Sequence, residues 1–266
     1  MSKGTADGAA ALSGRHALVT GASRGIGAGI ATALAAGGAR VSLLGRDAAR
    51  LAQVAAELGG ADRAAAIVAD VTQAASVKEA FATAHRHFGP VHVLVNNAGQ
   101  AASAKFTDTD EALWNRLLGV NLTGTYLCTR EAVPDMLQSG FGRIVNIASI
   151  AGLRGAAYVS AYVASKHAVI GLTRALALEY AARNITVNAV CPGYTDTDMV
   201  KQSVANIRAK TGRSESEVLA ALTASNPQQR LIAPAEVSHA VLWLCLPGTE
   251  SVTGQSIVIA GGEVTT

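Results

Sequence analysis

The chain has 266 residues, of which half are hydrophobic and only 15% are charged. This composition excludes a disordered protein, and the length suits one α/β domain. The net charge of +3 comes from scattered Lys and Arg residues, which argues against nucleic-acid binding. No segment approaches the roughly 18 consecutive apolar residues of a membrane helix.

The cysteines and histidines offer no pattern for a disulfide framework or a metal site. Cys128, Cys191 and Cys245 are odd in number and far apart, which predicts buried free thiols in a reducing cytoplasm. His85 and His87 lie two residues apart on a predicted helix and therefore face different ways. We expect a cytoplasmic protein with no catalytic metal and no membrane or nucleic-acid partner.

Short β-branched segments alternate with longer alanine-rich segments along the chain. We predict strands over 16–20, 40–44, 65–69, 91–95, 142–147, 185–190 and 256–259. We predict helices over 25–36, 47–58, 73–87, 109–137, 157–182, 197–224 and 234–244. Helices between consecutive strands imply βαβ units and a parallel sheet. The sequence therefore predicts one doubly wound α/β domain, with helices on both faces of a seven-stranded parallel sheet.

No change in composition divides the chain into two domains. The Gly- and Ala-rich residues 1–13 predict a flexible tail, and residues 14–266 form the single predicted domain. Within it, residues 194–226 are predicted to form a lid over the substrate.

The first predicted strand leads directly into a glycine-rich segment, residues 20–27, which reads Thr-Gly-Ala-Ser-Arg-Gly-Ile-Gly. Glycines let the backbone turn sharply and approach a pyrophosphate, and the following helix offers free N–H groups and the positive end of its dipole. The position between a strand and a helix predicts a dinucleotide site. The spacing G-x-x-x-G-x-G differs from the G-x-G-x-x-G of many dehydrogenases.

A second motif places a tyrosine and a lysine on one face of a predicted helix. Tyr162 and Lys166 are four residues apart. A nearby ammonium favours the phenolate, so we expect the pKa of Tyr162 to be lowered towards neutrality, which suits a proton donor or acceptor. Ser149 follows the strand 142–147, at the edge where α/β sheets bind ligands.

Five motifs in chain order resemble those of the classical short-chain dehydrogenases/reductases. Residues 20–27 match TGxxxGxG, 96–99 match NNAG, 162–166 match YxxxK, and 192–197 match PG-x-x-x-T, while Asn121 and Ser149 match the other two catalytic positions. The match extends over 14–262, and within the family the chain resembles 3-oxoacyl-thioester reductases and ketoreductases. It implies a Rossmann domain with the strand order 3-2-1-4-5-6-7, in which Asn121 interrupts its helix. It also implies an oxidoreductase with the catalytic set Asn121, Ser149, Tyr162 and Lys166, and a homotetramer or homodimer.

The resemblance also assigns the nicotinamide cofactor to particular residues. The implied cofactor-binding residues are Gly21, Ser23, Arg24, Gly25, Ile26, Gly27, Arg46, Asp70, Val71, Asn97, Ala98, Gly99, Tyr162, Lys166, Pro192, Gly193, Thr195 and Thr197.

The end of the second strand indicates which nicotinamide binds. NAD enzymes place an acid there, whereas NADP enzymes use arginine for the 2′-phosphate. Here Gly45 takes the acidic position, Arg46 follows, and Arg24 could supply a second cation. We therefore predict NADP(H), with NAD(H) as the alternative. In the other interpretation Arg46 faces solvent and Asp47 beside it caps the next helix.

The predicted substrate pocket is mostly small and apolar. Its predicted residues are Ser149, Ala151, Tyr158, Tyr162, Tyr194 and Met199, and Tyr158 either lines the pocket or is simply packed. We expect a small-molecule substrate, either a bulky or aryl ketone or a 3-oxoacyl thioester, with coenzyme A or a free ketone preferred over carrier protein. The alternatives are an NAD-dependent secondary-alcohol or 3-hydroxyacyl-CoA dehydrogenase and a non-catalytic nucleotide-binding subunit. All four catalytic positions are filled, which disfavours the last.

Overall fold

Seven parallel strands form one sheet in the computed structural model, which describes residues 11–265. The strands are β1 His16–Thr20, β2 Arg40–Gly45, β3 Ala64–Val68, β4 Val93–Asn96, β5 Gly142–Ile147, β6 Ile185–Pro192 and β7 Ser256–Ile259. Their order is β3-β2-β1-β4-β5-β6-β7, so the predicted fold class and strand order are confirmed.

Nine α-helices connect the strands within the described residues. They are α1 Gly25–Ala36, α2 Ala48–Glu57, α3 Ala74–Phe88, α4 Glu111–Leu118, α5 Gly124–Ser139, α6 Ser160–Tyr180, α7 Asp198–Thr211, α8 Glu215–Thr223 and α9 Pro234–Cys245. None of them combines the length and apolar character needed to cross a membrane.

Alternating side chains of the buried strands point to opposite faces of the sheet and pack into a hydrophobic core on each face. On β1, Val19 packs with α1, α2 and α9, whereas Leu18 packs with α3, α5 and α6. Because both faces are covered, the strands are nearly continuous apolar segments. Parallel strands end at one edge, so the loops after β1, β4, β5 and β6 meet there.

The predicted continuous helix over 109–137 is interrupted in the structure. A wide π-helical turn, Gly119–Thr123, separates α4 from α5 and contains the buried Asn121. Gly124 begins α5 where the backbone touches a neighbouring segment, because a Cβ there would lie 2.8 Å from Val71 Cγ2. Such turns often occur at functional sites.

The residues at the carboxyl end of the predicted tail, 11–13, belong to the folded domain. Leu12 is 1% exposed and belongs to the core against α1. Its backbone N–H donates to the Gly37 carbonyl at 2.8 Å, so an apolar contact and a hydrogen bond fix it to the domain. Residues 1–10 of the predicted tail lie outside the described residues.

Candidate active site

The glycine-rich segment between β1 and α1 forms a tight cradle. Gly21 and Gly25 have φ values of +65° and +57°, which favour glycine. Gly27 is buried, and a Cβ there would lie 2.3 Å from the Gly21 carbonyl oxygen and 2.4 Å from Asn97 Nδ2. Gly25, the exposed first residue of α1, adds its backbone at the helix N-terminus, and this cradle fits a pyrophosphate.

Hydrogen bonds tie this cradle to the segment after β4. Thr20 Oγ1 accepts from the backbone N–H groups of Asn97 and Ala98, both at 2.9 Å. The Asn97 side-chain amide donates to the carbonyls of Thr20 at 2.9 Å and Gly21 at 3.2 Å. Asn97 therefore holds the loop in shape, and Thr20 is a positioning residue that the sequence-based site did not include.

The four predicted catalytic side chains meet at the carboxyl edge of the sheet. Lys166 is buried on α6, and its Nζ donates to the Ile147 carbonyl at the end of β5 at 2.7 Å. Its Nζ lies 5.7 Å from the centroid of the partly buried Tyr162 ring. The partly exposed Ser149 follows β5, and its Oγ accepts from the Ala151 N–H at 3.1 Å on the side of the site where it also influences Tyr162. A phenol, a hydroxyl and a lysine thus converge where a carbonyl oxygen could bind.

Burial controls the titration of this group. It raises the pKa of Tyr162 above the usual value for a phenol, although the hydrogen bond with Ser149 opposes the rise. Burial also lowers the pKa of Lys166 to about 8. The expected lowering of the Tyr162 pKa is therefore wrong for this structure. The reason is that the ammonium contacts Ile147 and not the phenol oxygen, and loss of hydration dominates.

Asn121 connects three parts of the site. Its Oδ1 accepts from the Gln100 N–H at 2.8 Å, and its Nδ2 donates to the Gln100 carbonyl at 3.0 Å and to Ser165 Oγ at 2.9 Å. Ser165 Oγ in turn donates to the Tyr162 carbonyl at 2.7 Å. A Cβ on Gly99 would lie 3.2 Å from Asn121 Oδ1. Asn121 thus fixes the segment after β4 against α6, and sequence reasoning missed Gln100 and Ser165.

A cavity of about 340 Å³ lies where the adenine half of a dinucleotide is expected. The residues lining it are Arg46, Asp70, Thr72, Gln100, Asn115, Arg116, Gly119 and Val120. Hydrogen bonds from the Thr72 N–H and hydroxyl lower the pKa of Asp70, and Arg46 adds to the effect. Val71 is buried beside Gly124 and supports the wall. Asn115 and Arg116 lie on α4, far along the chain from any cofactor motif, so the sequence had not indicated them.

The segment after β6 bends back towards the cradle. Pro192 and Thr195 are buried, and Thr195 Oγ1 donates to the Gly193 carbonyl at 3.0 Å. Thr197 occupies the N-cap position of α7, but its hydroxyl donates to the Thr195 carbonyl at 3.2 Å instead of capping the helix. Its Cγ2 would lie 3.4 Å from a Cβ on Gly25. Within the cradle, Ser23 and Ile26 are partly exposed. The structure thus brings these predicted cofactor residues to one edge of the sheet.

The predicted substrate residues differ in exposure. Ala151 is buried, whereas Tyr158, Tyr194 and Met199 are 66%, 42% and 45% exposed. Tyr158 has a φ of +65°, which is rare for a bulky residue, and its carbonyl accepts from the Ala104 N–H at 2.8 Å. The ring is therefore held outward beside the loop that follows β4.

A buried carboxylate ties the substrate loop to the end of the predicted lid. The Glu263 side chain is 2% exposed, and its carboxylate pairs with Arg154 and accepts from Ser225 Oγ at 2.5 Å. Its charge also helps to raise the pKa of Tyr194, after burial. Sequence reasoning missed Glu263 because 109 residues separate it from Arg154.

Comparisons with known proteins agree with this geometry. The family model for short chain dehydrogenases matches residues 15–208. The chain belongs to this family. A putative ketoacyl reductase 1 of the granaticin polyketide synthase of Streptomyces violaceoruber is 40% identical, over 92% of each chain. The galactitol 2-dehydrogenase (L-tagatose-forming) of Cereibacter sphaeroides is also 40% identical, over 94% of this chain and 95% of that one.

A solved structure shows the same fold around a bound nicotinamide. A single-substitution variant of the actinorhodin polyketide ketoreductase, crystallised with NADPH, is 38% identical, with a TM-score of 0.89 over 94% of this chain and 97% of that one. The protein is therefore a short-chain dehydrogenase that resembles ketoreductases, an oxidoreductase of the class that acts on CH–OH groups.

Proposed function

We propose that this dehydrogenase reduces a ketone to a secondary alcohol with NADP(H), and that Tyr162 is the general acid. The observation that carries the proposal is the convergence of the Tyr162 phenol, the Ser149 hydroxyl and Lys166 at the carboxyl edge of the sheet. An ordinary phenol, with a pKa of about 10, is already protonated at neutral pH, which is the form that reduction requires. Burial of Tyr162 acts in the same direction.

Each residue has a role in this reaction that follows from its position. A bound nicotinamide supplies the hydride for the carbonyl carbon. The hydroxyl groups of Ser149 and Tyr162 hold the carbonyl oxygen, and Tyr162 donates its proton to that oxygen. Lys166 has its Nζ 5.7 Å from the centroid of the Tyr162 ring, and we assign it as a positioning residue whose charge faces the phenol from the Ile147 carbonyl. Asn121 holds α6 and the loop after β4 together through its hydrogen bonds with Ser165 and Gln100.

Substitution of the general acid tests this mechanism. We expect Tyr162→Phe to lose at least about 100-fold in kcat, in the range typical of general acid–base catalysis, while its Kd for NADPH stays near that of the wild type. Tyr180→Phe, at the other end of α6, is the matched control and should keep its activity. Unchanged turnover in Tyr162→Phe would refute the role of Tyr162.

The preference for NADP(H) is supported by the charges after β2. Gly45 occupies the position where NAD enzymes carry an acid. The nearest acid, Asp47, caps α2 by accepting from the Arg50 N–H at 3.1 Å. Arg46 lines the adenine-side cavity. We expect Arg46→Asp to weaken NADPH binding and not NADH binding, and equal or tighter NADPH binding in the variant would overturn the preference.

We propose a bulky or aryl ketone or a 3-oxoacyl thioester as the substrate, with coenzyme A esters or free ketones ahead of carrier-protein esters. The granaticin relative supports a ketoacyl substrate. The loop before α6 presents the exposed Tyr158 and one cation, Arg154, and we propose that residues 194–226 act as the lid. The test is NADPH oxidation with a panel of 3-oxoacyl-CoA esters, carrier-protein esters and aryl ketones. Activity confined to carrier-protein esters would reject this substrate class.

A second candidate is an NAD-dependent secondary-alcohol dehydrogenase, since the galactitol dehydrogenase is as similar as the granaticin relative. Alcohol oxidation with NAD exceeding ketone reduction with NADPH at neutral pH would favour it.

We also propose that the chain acts in the cytoplasm as a homodimer or homotetramer. The exposed Tyr126 on α5 and Leu178 on α6 support an assembly surface, and the three buried thiols suit a reducing compartment. Light scattering after size exclusion measures the assembly.

A further inference from the structure

A cluster of charged side chains joins the glycine-rich cradle, α2 and the beginning of α7. Asp198 Oδ2 lies 3.6 Å from Nη1 of Arg24 and 3.5 Å from Nη1 of Arg50. The Nε of Arg50 lies 3.5 Å from Asp47 Oδ2. Two guanidinium groups from separate segments therefore converge on one carboxylate oxygen.

This anion site occupies the region where an NADP 2′-phosphate is expected. Arg24 belongs to the cradle. Arg50 lies in the first turn of α2, the helix that begins shortly after Gly45 and Arg46. Guanidinium groups suit phosphate better than other cations do because their donors match its oxygens. A phosphate also carries more negative charge than a carboxylate. The ligand that fits Arg24 and Arg50 best is therefore a phosphate monoester.

We propose that Asp198 and the 2′-phosphate of NADP(H) compete for Arg24 and Arg50. This makes Arg50 a specificity-determining residue, and Asp198 sets how strongly the enzyme distinguishes NADP(H) from NAD(H). The inference rests on the proposed NADP(H) preference. Asp198 is the first residue of α7. When the 2′-phosphate takes the place of the Asp198 carboxylate, the predicted lid also loses its ion pairs with the cradle and α2.

The size of the effect follows from exposure. The side chains of Arg24, Arg50 and Asp198 are 61%, 48% and 57% exposed, so solvent screens each ion pair. Loss of the competing carboxylate should tighten binding of a 2′-phosphate by about 3- to 10-fold, as expected for two screened pairs. A ligand without that phosphate should be unaffected.

Calorimetric titration with 2′,5′-ADP and 5′-AMP tests the competition without turnover. We expect Asp198→Asn to bind 2′,5′-ADP about 3- to 10-fold more tightly than the wild type and 5′-AMP within about twofold. Asp198→Ser should behave in the same way, which guards against a local effect of asparagine. Arg50→Gln should weaken 2′,5′-ADP binding and leave 5′-AMP binding unchanged.

Asp196→Asn is the matched control. Asp196 lies in the same segment, is 56% exposed and pairs with Lys201 at 3.6 Å, but it does not contact Arg24 or Arg50. If it tightens 2′,5′-ADP binding as much as Asp198→Asn does, general electrostatics explains the gain and the inference is overturned.

The outcomes separate this inference from the cofactor preference. If the wild type prefers 2′,5′-ADP and Asp198→Asn changes nothing, only the inference fails. If the wild type shows no preference but Asp198→Asn creates one, the NADP(H) preference fails and the competition is supported. If neither protein prefers 2′,5′-ADP, both are overturned.

Discussion

Burial of the His16 side chain should make the stability of the fold depend on pH. Its ring is fully buried on β1, with Nε2 2.9 Å from Ser42 Oγ, Nδ1 2.8 Å from the Gly89 carbonyl oxygen, and an edge-on contact with Phe88. Burial is the largest cause that lowers the pKa of His16 to about 4, although the bond to Gly89 opposes it. The native state thus holds a neutral imidazole.

The sign and size of the effect follow from the two pKa values. The unfolded chain binds a proton on this residue below about pH 6.5, whereas the folded chain does so only near pH 4. Stability is therefore lost as pH falls from 6.5 through 4. At pH 4.5, about two pH units below the unfolded pKa and still above the folded one, the lost free energy of unfolding is about 2.5 kcal/mol, at about 1.4 kcal/mol per pH unit. Solvent does not screen this loss because the ring has no exposed surface.

Urea unfolding at pH 7.0 and pH 4.5 measures this loss. His16→Gln should be less stable than the wild type at pH 7.0, because it disturbs a packed site, but the gap should narrow by about 2.5 kcal/mol at pH 4.5. His85→Gln, which removes a histidine at the surface of α3, is the control and should keep the pH dependence of the wild type. A gap between His16→Gln and the wild type that stays constant with pH would refute the assignment.

Three further predictions concern the active site. Gly27→Ala should lower the free energy of unfolding by about 1–3 kcal/mol, because its Cβ would enter the cradle. It should also abolish NADPH binding, measured by the fluorescence of the bound cofactor. Gly171→Ala on α6, whose Cβ meets nothing within 4 Å, should do neither. Ketone reduction by the wild type should fall above about pH 8, where Lys166 loses its charge. The pH profile of Lys166→Arg should lack that decline. If the two proteins have the same pH profile, the decline does not come from Lys166. Glu263→Gln should raise the KM for ketone and leave the Kd for NADPH unchanged, because Arg154 in the substrate loop loses its charged partner. Equal changes in the KM for ketone and the Kd for NADPH would count against a role of Glu263 on the substrate side.

The fold was largely predictable because local signals and long-range packing agree. The strands 16–20, 142–147 and 256–259 have the predicted bounds, since each is a β-branched segment between strong turn signals. The Asp47 cap of α2 was also predictable, because an N-cap depends on neighbouring residues alone. Helix periodicity did not indicate the interruption at Asn121, since it is nearly unchanged across one wide turn, and only the family resemblance implied it.

The site divides in the same way. Sequence alone determined the order of motifs, the tyrosine and lysine on one helix face, and the absence of an acid directly after β2, because these depend on spacing within short segments. Only the tertiary structure decided that burial raises the pKa of Tyr162, since hydration depends on every surrounding element. It also brought Asp198 to Arg50 and Glu263 to Arg154. Such pairs join residues distant in the chain, and no periodicity records which distant charges will meet once the sheet has formed.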